Sequence, residues 1–104
     1  MIMQRYATAK LLANAGHEVV DAHDYHDALP ILEDGTSLDL LVVDLMLPEV
    51  HGFALARMAR MKHLGIRCIY VTAYDLSTHE AVGPVLRKPL ADDQLLTAIE
   101  AALR

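Results

Sequence analysis

Leu38-Asp39-Leu40-Leu41-Val42-Val43-Asp44 decides the fold of this chain. Leu40 to Val43 are apolar without a break, where a strand solvated on one face would alternate with polar residues. Such a run suits a strand covered on both faces, as in a parallel sheet, and it closes on a carboxylate. Asp34-Gly35 ahead of it is a turn signal. Ile66 to Thr72 repeats the pattern, an apolar run closed by a hydroxyl. Pro84-Val85-Leu86-Arg87 is a minimal strand, followed directly by Lys88 and Pro89.

Around these strands the apolar period becomes helical. His51 to Met61 predicts a helix with Phe53, Leu55, Ala56, Met58 and Ala59 as inward candidates, ended by Gly65. Leu95, Leu96, Ile99, Ala102 and Leu103 form one face of a last helix. Toward the N-terminus, His17 to Ala22 is a short β-prone run. Asp24 then offers an N-cap for a helix reaching about Glu33, with Pro30 inside it as the source of a kink or a late start. From about Ile2 to Ala15, the residues Ile2, Tyr6, Ala7, Ala9, Leu11 and Leu12 keep a helical period, and Asn14-Ala15-Gly16 is a helix stop. The chain is therefore expected to open inside or just before a helix. Alternation of strand and helix with short connections implies right-handed βαβ units and an open parallel sheet covered on both faces, an α/β architecture.

With 104 residues, 54% hydrophobic and 22% charged, the chain is expected to form one domain over 1–104. Nine basic against fourteen acidic side chains, a net charge of -5 and no basic cluster argue against a nucleic-acid surface, which needs clustered cations. The apolar runs are far shorter than the roughly 20 residues that cross a bilayer, and no signal-peptide pattern is present, so no membrane and a cytoplasmic location are expected. The single Cys68 has no partner for a disulfide and sits in an apolar run, as a buried structural thiol would.

In open α/β sheets the ligand site lies beyond the carboxyl ends of the strands. Asp44, Thr72 and Lys88 each end a strand, and together they place a carboxylate, a hydroxyl and an ammonium on one rim. Elsewhere His23, Asp24, His26 and Asp27 are competent zinc ligands, but their spacing fits no closed site, and a capped helix start with exposed histidines accounts for them better. Met46, Met58 and Met61 read as packing residues, and His51, His63 and His79 as surface residues. The early strands are followed by no Gly-rich phosphate loop, which argues against a flavodoxin-like enzyme or cofactor binder.

Asp44-Leu45-Met46-Leu47-Pro48-Glu49-Val50-His51-Gly52-Phe53 resembles the phosphoacceptor segment of bacterial response-regulator receivers. Val71-Thr72-Ala73 resembles the family's hydroxyl-bearing strand end, and Arg87-Lys88-Pro89-Leu90 its lysine followed by a cis proline. Ala13-Asn14-Ala15-Gly16-His17-Glu18-Val19-Val20 is similar to the end of its first helix and its second strand, so the resemblance covers essentially the whole chain. It implies a flavodoxin-like (CheY-like) sheet of order 2-1-3-4-5 and a receiver of two-component phosphorelay signal transduction, not an enzyme. Asp44 would accept a phosphoryl group from a histidine kinase or phosphotransfer protein, with Thr72 and Lys88 stabilising it and Ala73 and Pro89 shaping the phosphate pocket. Asp44 and the Met46 backbone carbonyl would be metal ligands for Mg²⁺.

Three departures from that pattern carry expectations. The family places two adjacent acidic residues at the end of its first strand, and nothing in Met1-Ile2-Met3-Gln4-Arg5-Tyr6 replaces them, so Mg²⁺ binding is expected to be weak or absent and phosphorylation slow. The chain also starts too late, on this reading, to contain the first strand, which leaves Leu40 to Asp44 as an apolar sheet edge. A homodimer, or direct pairing of His17 to Asp21 with that edge, would cover it. Thr72 and Lys88 are closer together than usual, which shrinks the intervening helix to a turn or two around Ser77 to Val82, and Val85 stands at the position of the family's aromatic switch. The alternative function is a degenerate, phosphorylation-independent interaction or dimerisation module.

Overall fold

The computed structural model describes residues 2–3, 6–22, 25–35, 37–45, 50–73 and 81–104. Five parallel strands form one sheet in the order β2-β1-β3-β4-β5: β1 (Ile2–Met3), β2 (Val20–Asp21), β3 (Leu40–Leu45), β4 (Arg67–Thr72) and β5 (Val85–Arg87). Helices α1 (Tyr6–Asn14), α2 (Tyr25–Glu33), α3 (Val50–Lys62) and α4 (Asp92–Leu103) alternate with them.

The first strand corrects the sequence reading twice. Ile2 and Met3 are strand, where the period suggested helix, and they occupy the centre of the sheet, where a missing strand was expected. Ile2 pairs with Val20 on one side and Leu41 on the other, so β2 does not pair directly with β3. With that, the exposed-edge reason for a homodimer falls away. Two apolar residues are too few to show a period of their own, and the helical spacing that begins at Tyr6 extends back over them by chance. The helix stop, in contrast, is where it was read. Gly16 has φ +98, His17 N donates to Leu12 O (3.1 Å) and Gly16 N to Ala13 O (3.0 Å), the paired bonds of a glycine-terminated helix.

β3 and β4 are the body of the sheet, in register over six residues from Leu40↔Arg67 to Leu45↔Thr72. Their alternate side chains feed two cores. On one face Leu41, Val43, Leu45, Cys68 and Tyr70 pack with Ala28 and Leu32 of α2 and with Phe53, Leu55, Ala56 and Ala59 of α3. On the other, Leu40, Val42, Ile69 and Val71 pack with Leu12 of α1 and with Leu95 and Ile99 of α4. Burial on both faces is what the unbroken apolar runs predicted.

Smaller expectations divide. Pro30 lies inside α2, while its expected cap Asp24 lies outside the described residues. Met61 is exposed, not a packing residue, and Leu103 at the end of α4 is partly exposed. His63 is half-buried, not a surface residue, and its Nε2 donates to the Leu32 carbonyl at 2.9 Å, tying the end of α3 to α2. Of the short helix around Ser77 to Val82, only Ala81 and Val82 are described, and neither is helical.

Cys68 is buried, as expected, and has company that the sequence did not announce. Tyr70 Oη accepts from Arg60 Nη1 and from the Val82 amide, both at 3.3 Å, so one phenol joins α3, β4 and the approach to β5. Burial pushes the Cys68 thiol above its ordinary 9.0 and the Tyr70 phenol above 10.0, against the opposing pull of Arg60. Both groups are therefore neutral in the folded chain at pH values where the unfolded chain already ionises. Their contribution to stability is complete below about pH 9 and is lost as pH rises through the folded-state values. Urea denaturation should show stability declining above pH 9, with a shallower decline in Cys68→Ala. Equal slopes for the two chains would contradict this account.

Candidate functional site

The parallel register brings the three strand ends together. Asp44 is the penultimate residue of β3, opposite Val71, and Thr72 is the last of β4, opposite both Leu45 and Arg87. Lys88 follows β5 directly, and its amide donates to the Thr72 carbonyl at 2.7 Å, which fixes where its side chain starts. From there Lys88 Nζ reaches Asp44 Oδ2 at 2.8 Å, a charge-assisted hydrogen bond. Asp44 is only 8% exposed and Lys88 25%, so the pair is shielded from water on the side of the protein and open on the rim. The Lys88-Pro89 bond is cis, as the resemblance implied.

The remaining residues have plain positions. Thr72 is buried at 2% exposure, while Ala73 and Pro89 are exposed next to it and to Lys88. Met46 lies outside the described residues. Asp44, Thr72 and Lys88 thus share one rim, with the carboxylate and ammonium in contact and the threonine joined to the lysine through the backbone.

Among the described residues the donor set is short of the carboxylates that a receiver-type Mg²⁺ site uses. Mg²⁺ prefers an octahedron of oxygens, with carboxylates among them. Among the described residues no group of three or more His, Cys, Asp or Glu side chains is placed to hold a metal ion. Between Met3 and Tyr6, where β1 gives way to α1, the chain carries Gln4 and Arg5 and no carboxylate. Asp21 ends β2 with Oδ1 buried and without a hydrogen-bond partner among the described residues, a feature the sequence reading missed. Being on β2, it is separated from β3 by β1 and does not join Asp44. His26 and Asp27 are exposed on α2, and His23 and Asp24 lie outside the described residues.

A rim of this kind can hold a tetrahedral anion. A lysine cation offsets negative charge on the oxygens, and a carboxylate oxygen beside it is a nucleophile aimed at the same place.

Comparison with known proteins gives this rim a family context. The profile of the response regulator receiver domain matches residues 2–100. The transcriptional regulatory protein CpxR of Escherichia coli (strain K12) is 34% identical over 101 residues, covering 91% of this chain and 42% of CpxR. The sensor kinase CckA of Brucella abortus (strain 2308) is 30% identical over 106 residues, covering 95% of this chain and 11% of that protein. The chain therefore spans less than half the length of these curated relatives. Among solved structures, the receiver domain of the hybrid histidine kinase CckA superposes with a TM-score of 0.81 at 28% identity, covering 99% of this chain and 98% of that one. A CheY-like receiver domain protein from Methanospirillum hungatei JF-1 superposes with a TM-score of 0.83 at 25% identity, covering 98% and 90%.

Proposed function

Because this chain belongs to the response regulator receiver domain family of two-component systems, we propose that Asp44 is its phosphoacceptor and that Lys88 and Thr72 stabilise the acquired phosphoryl group. The observation that carries this reading is the 2.8 Å contact between Lys88 Nζ and Asp44 Oδ2 at the carboxyl rim of a CheY-like sheet. Receivers are signalling domains, generally not enzymes, and they interact with histidine kinases or phosphotransfer proteins. A phosphohistidine on such a partner is the proposed donor. A carboxylate oxygen of Asp44 forms the new P–O bond as the P–N bond breaks, and the departing imidazole regains its proton from water. Lys88 then shares its charge with the phosphoryl oxygens, Thr72 offers its hydroxyl, and the small Ala73 leaves room.

Family members generally bind Mg²⁺ at this site. Here the described residues lack the carboxylates for it, so the charge compensation assigned to this chain comes from Lys88 and Thr72. The same observation favours a second reading, a phosphorylation-independent docking or dimerisation module. In either reading the setting is cytoplasmic, in keeping with the absence, among the described residues, of any helix long and apolar enough to cross a membrane.

A small acyl phosphate separates the two readings. The intact mass of the treated chain is expected to rise by one phosphoryl group, slowly and with little response to added Mg²⁺, and Asp44→Asn is expected to abolish the rise. A mass increase that persists in Asp44→Asn would remove the assignment. Vigorous Mg²⁺ stimulation would instead overturn the metal-poor account of the site.

A further inference from the structure

Helix α3 is apolar on more than the side that meets the sheet. Phe53, Leu55, Ala56 and Ala59 pack into the core, and a helix with one such face ordinarily carries polar residues opposite. Here Ala54, Met58 and Met61 follow one another at i, i+4 and i+7 on a second face, with Leu64 in the turn beyond the helix. Met61 is 82% exposed and Leu64 94%, while Ala54 and Met58 are half-buried. Three hydrogen bonds fix the turn that carries Leu64: His63 N donates to Ala59 O at 2.8 Å, Ile66 N to His63 O at 3.1 Å, and the His63 ring to the Leu32 carbonyl at 2.9 Å.

The charge along this stripe has one sign. From Val50 to Ala73 the sequence carries Arg57, Arg60, Lys62 and Arg67 and no Asp or Glu, although fourteen acidic residues give the whole chain a charge of -5. Arg60 is turned onto Tyr70 and Arg67 onto the Ala102 carbonyl, whereas Arg57 and Lys62, both exposed, border Met58 and Met61 on α3. Apolar residues separate these cations, unlike the clustered cations that a phosphate backbone needs.

We infer that this face of α3 is a docking surface for an acidic amphipathic helix of a partner protein. From Ala54 to Leu64 it runs about 15 Å, room for about three turns of a helix laid against α3. The partner's apolar stripe covers Met58, Met61 and Leu64, and methionine, unbranched and flexible, adapts to the side chains it meets. Carboxylates beside that stripe meet Arg57 and Lys62. A flat anionic membrane fits less well, because it would also bring its charge up to the acidic remainder of the chain, within the range that salt leaves unscreened. The inference draws on none of Asp44, Thr72 and Lys88, so it stands apart from the phosphoryl chemistry.

Two fluorescent helical peptides test it, with the same leucines at i, i+3, i+4 and i+7 and either glutamate or lysine at the flanking positions. Anisotropy titrations against the full chain are expected to give a Kd about tenfold or more tighter for the glutamate peptide, weakening as salt is added. Lys62→Glu and Leu64→Ser, both at exposed positions, are each expected to weaken it about tenfold, and Leu103→Ser, at an exposed apolar residue of α4, to leave it unchanged. No binding of the glutamate peptide, equal affinity for the two peptides, or binding that survives Lys62→Glu and Leu64→Ser combined would overturn the proposal. So would a different occupant, shown by retention on phosphatidylserine vesicles or by dimers in sedimentation that Leu64→Ser abolishes.

Discussion

Lys88→Met is expected to slow phosphoryl transfer to Asp44 by about 10²–10³-fold, the usual cost of removing one positioned donor from a site where negative charge develops. In this chain the loss has little to cushion it. The described residues gather no acidic metal site near Asp44, and Lys88 Nζ lies 2.8 Å from the carboxylate proposed as acceptor. Two readouts keep the test informative even where labelling of the parent is slow. The first is the labelling rate with an acyl phosphate, in Lys88→Met against Lys88→Arg, which retains charge. The second is stability. Asp44 is 8% exposed, so removing its cation leaves a mostly buried carboxylate without that partner, at a cost of about 1–3 kcal/mol. Pairing the substitution with Asp44→Asn should recover most of that loss, because the charge that needed a partner is gone. Unfolding curves for the two single variants and the double variant would show it. Strict additivity would mean that the contact contributes nothing to the fold.

The second large effect lies away from the site. Gly83 has φ +142, and a Cβ built on it would lie on the Cys68 carbonyl oxygen, 2.0 Å away. A backbone oxygen inside a paired strand has nowhere to go. Tyr70 N donates to Pro84 O at 2.9 Å, which holds the approach to β5 close against β4. Gly83→Ala must therefore push β5 away from β4 or distort β4 itself, and a loss of about 3–4 kcal/mol is expected. Gly35→Ala is the matched control. Its φ of +86 is also unfavourable to a side chain, but nothing lies within 4 Å of the added carbon, so about 1 kcal/mol should be lost. Thermal melts of the two variants separate steric overlap from backbone conformation. Similar losses would show that the close approach to Cys68 costs nothing beyond φ. Because Lys88 starts from the end of β5, the Gly83 variant should also lose reactivity at Asp44.

Legibility in the sequence followed the range of the interactions. Asp44, Thr72 and Lys88 could be read because each closes a local apolar run, and the parallel-sheet rule then assigns all three to one rim without knowledge of any distance. The Gly16 stop was legible for the same reason, its bonds spanning only Leu12 to His17. Ile2–Met3 was not. A two-residue strand is defined by its neighbours Val20 and Leu41, and no local pattern distinguishes it from the helix that follows. The link from Arg60 through Tyr70 to Val82 was equally hidden, since it depends on α3 crossing β4. Leu103 was misread because apolar periodicity marks a face but does not say where the partner surface ends, and Met61 because residue type alone does not say which face of a helix it takes.

The sheet is unequal on its two sides. Among the described residues β3 and β4 are registered over six pairs, while β1 meets β2 over two and β3 over one. Native proteins open in cooperative pieces, and the piece with the shorter ladder opens first. Here the β2–β1 flank would fray while β3, β4 and β5 stay zipped, and those three strands carry Asp44, Thr72 and Lys88. The chemistry proposed for this domain would then sit on the piece that opens last.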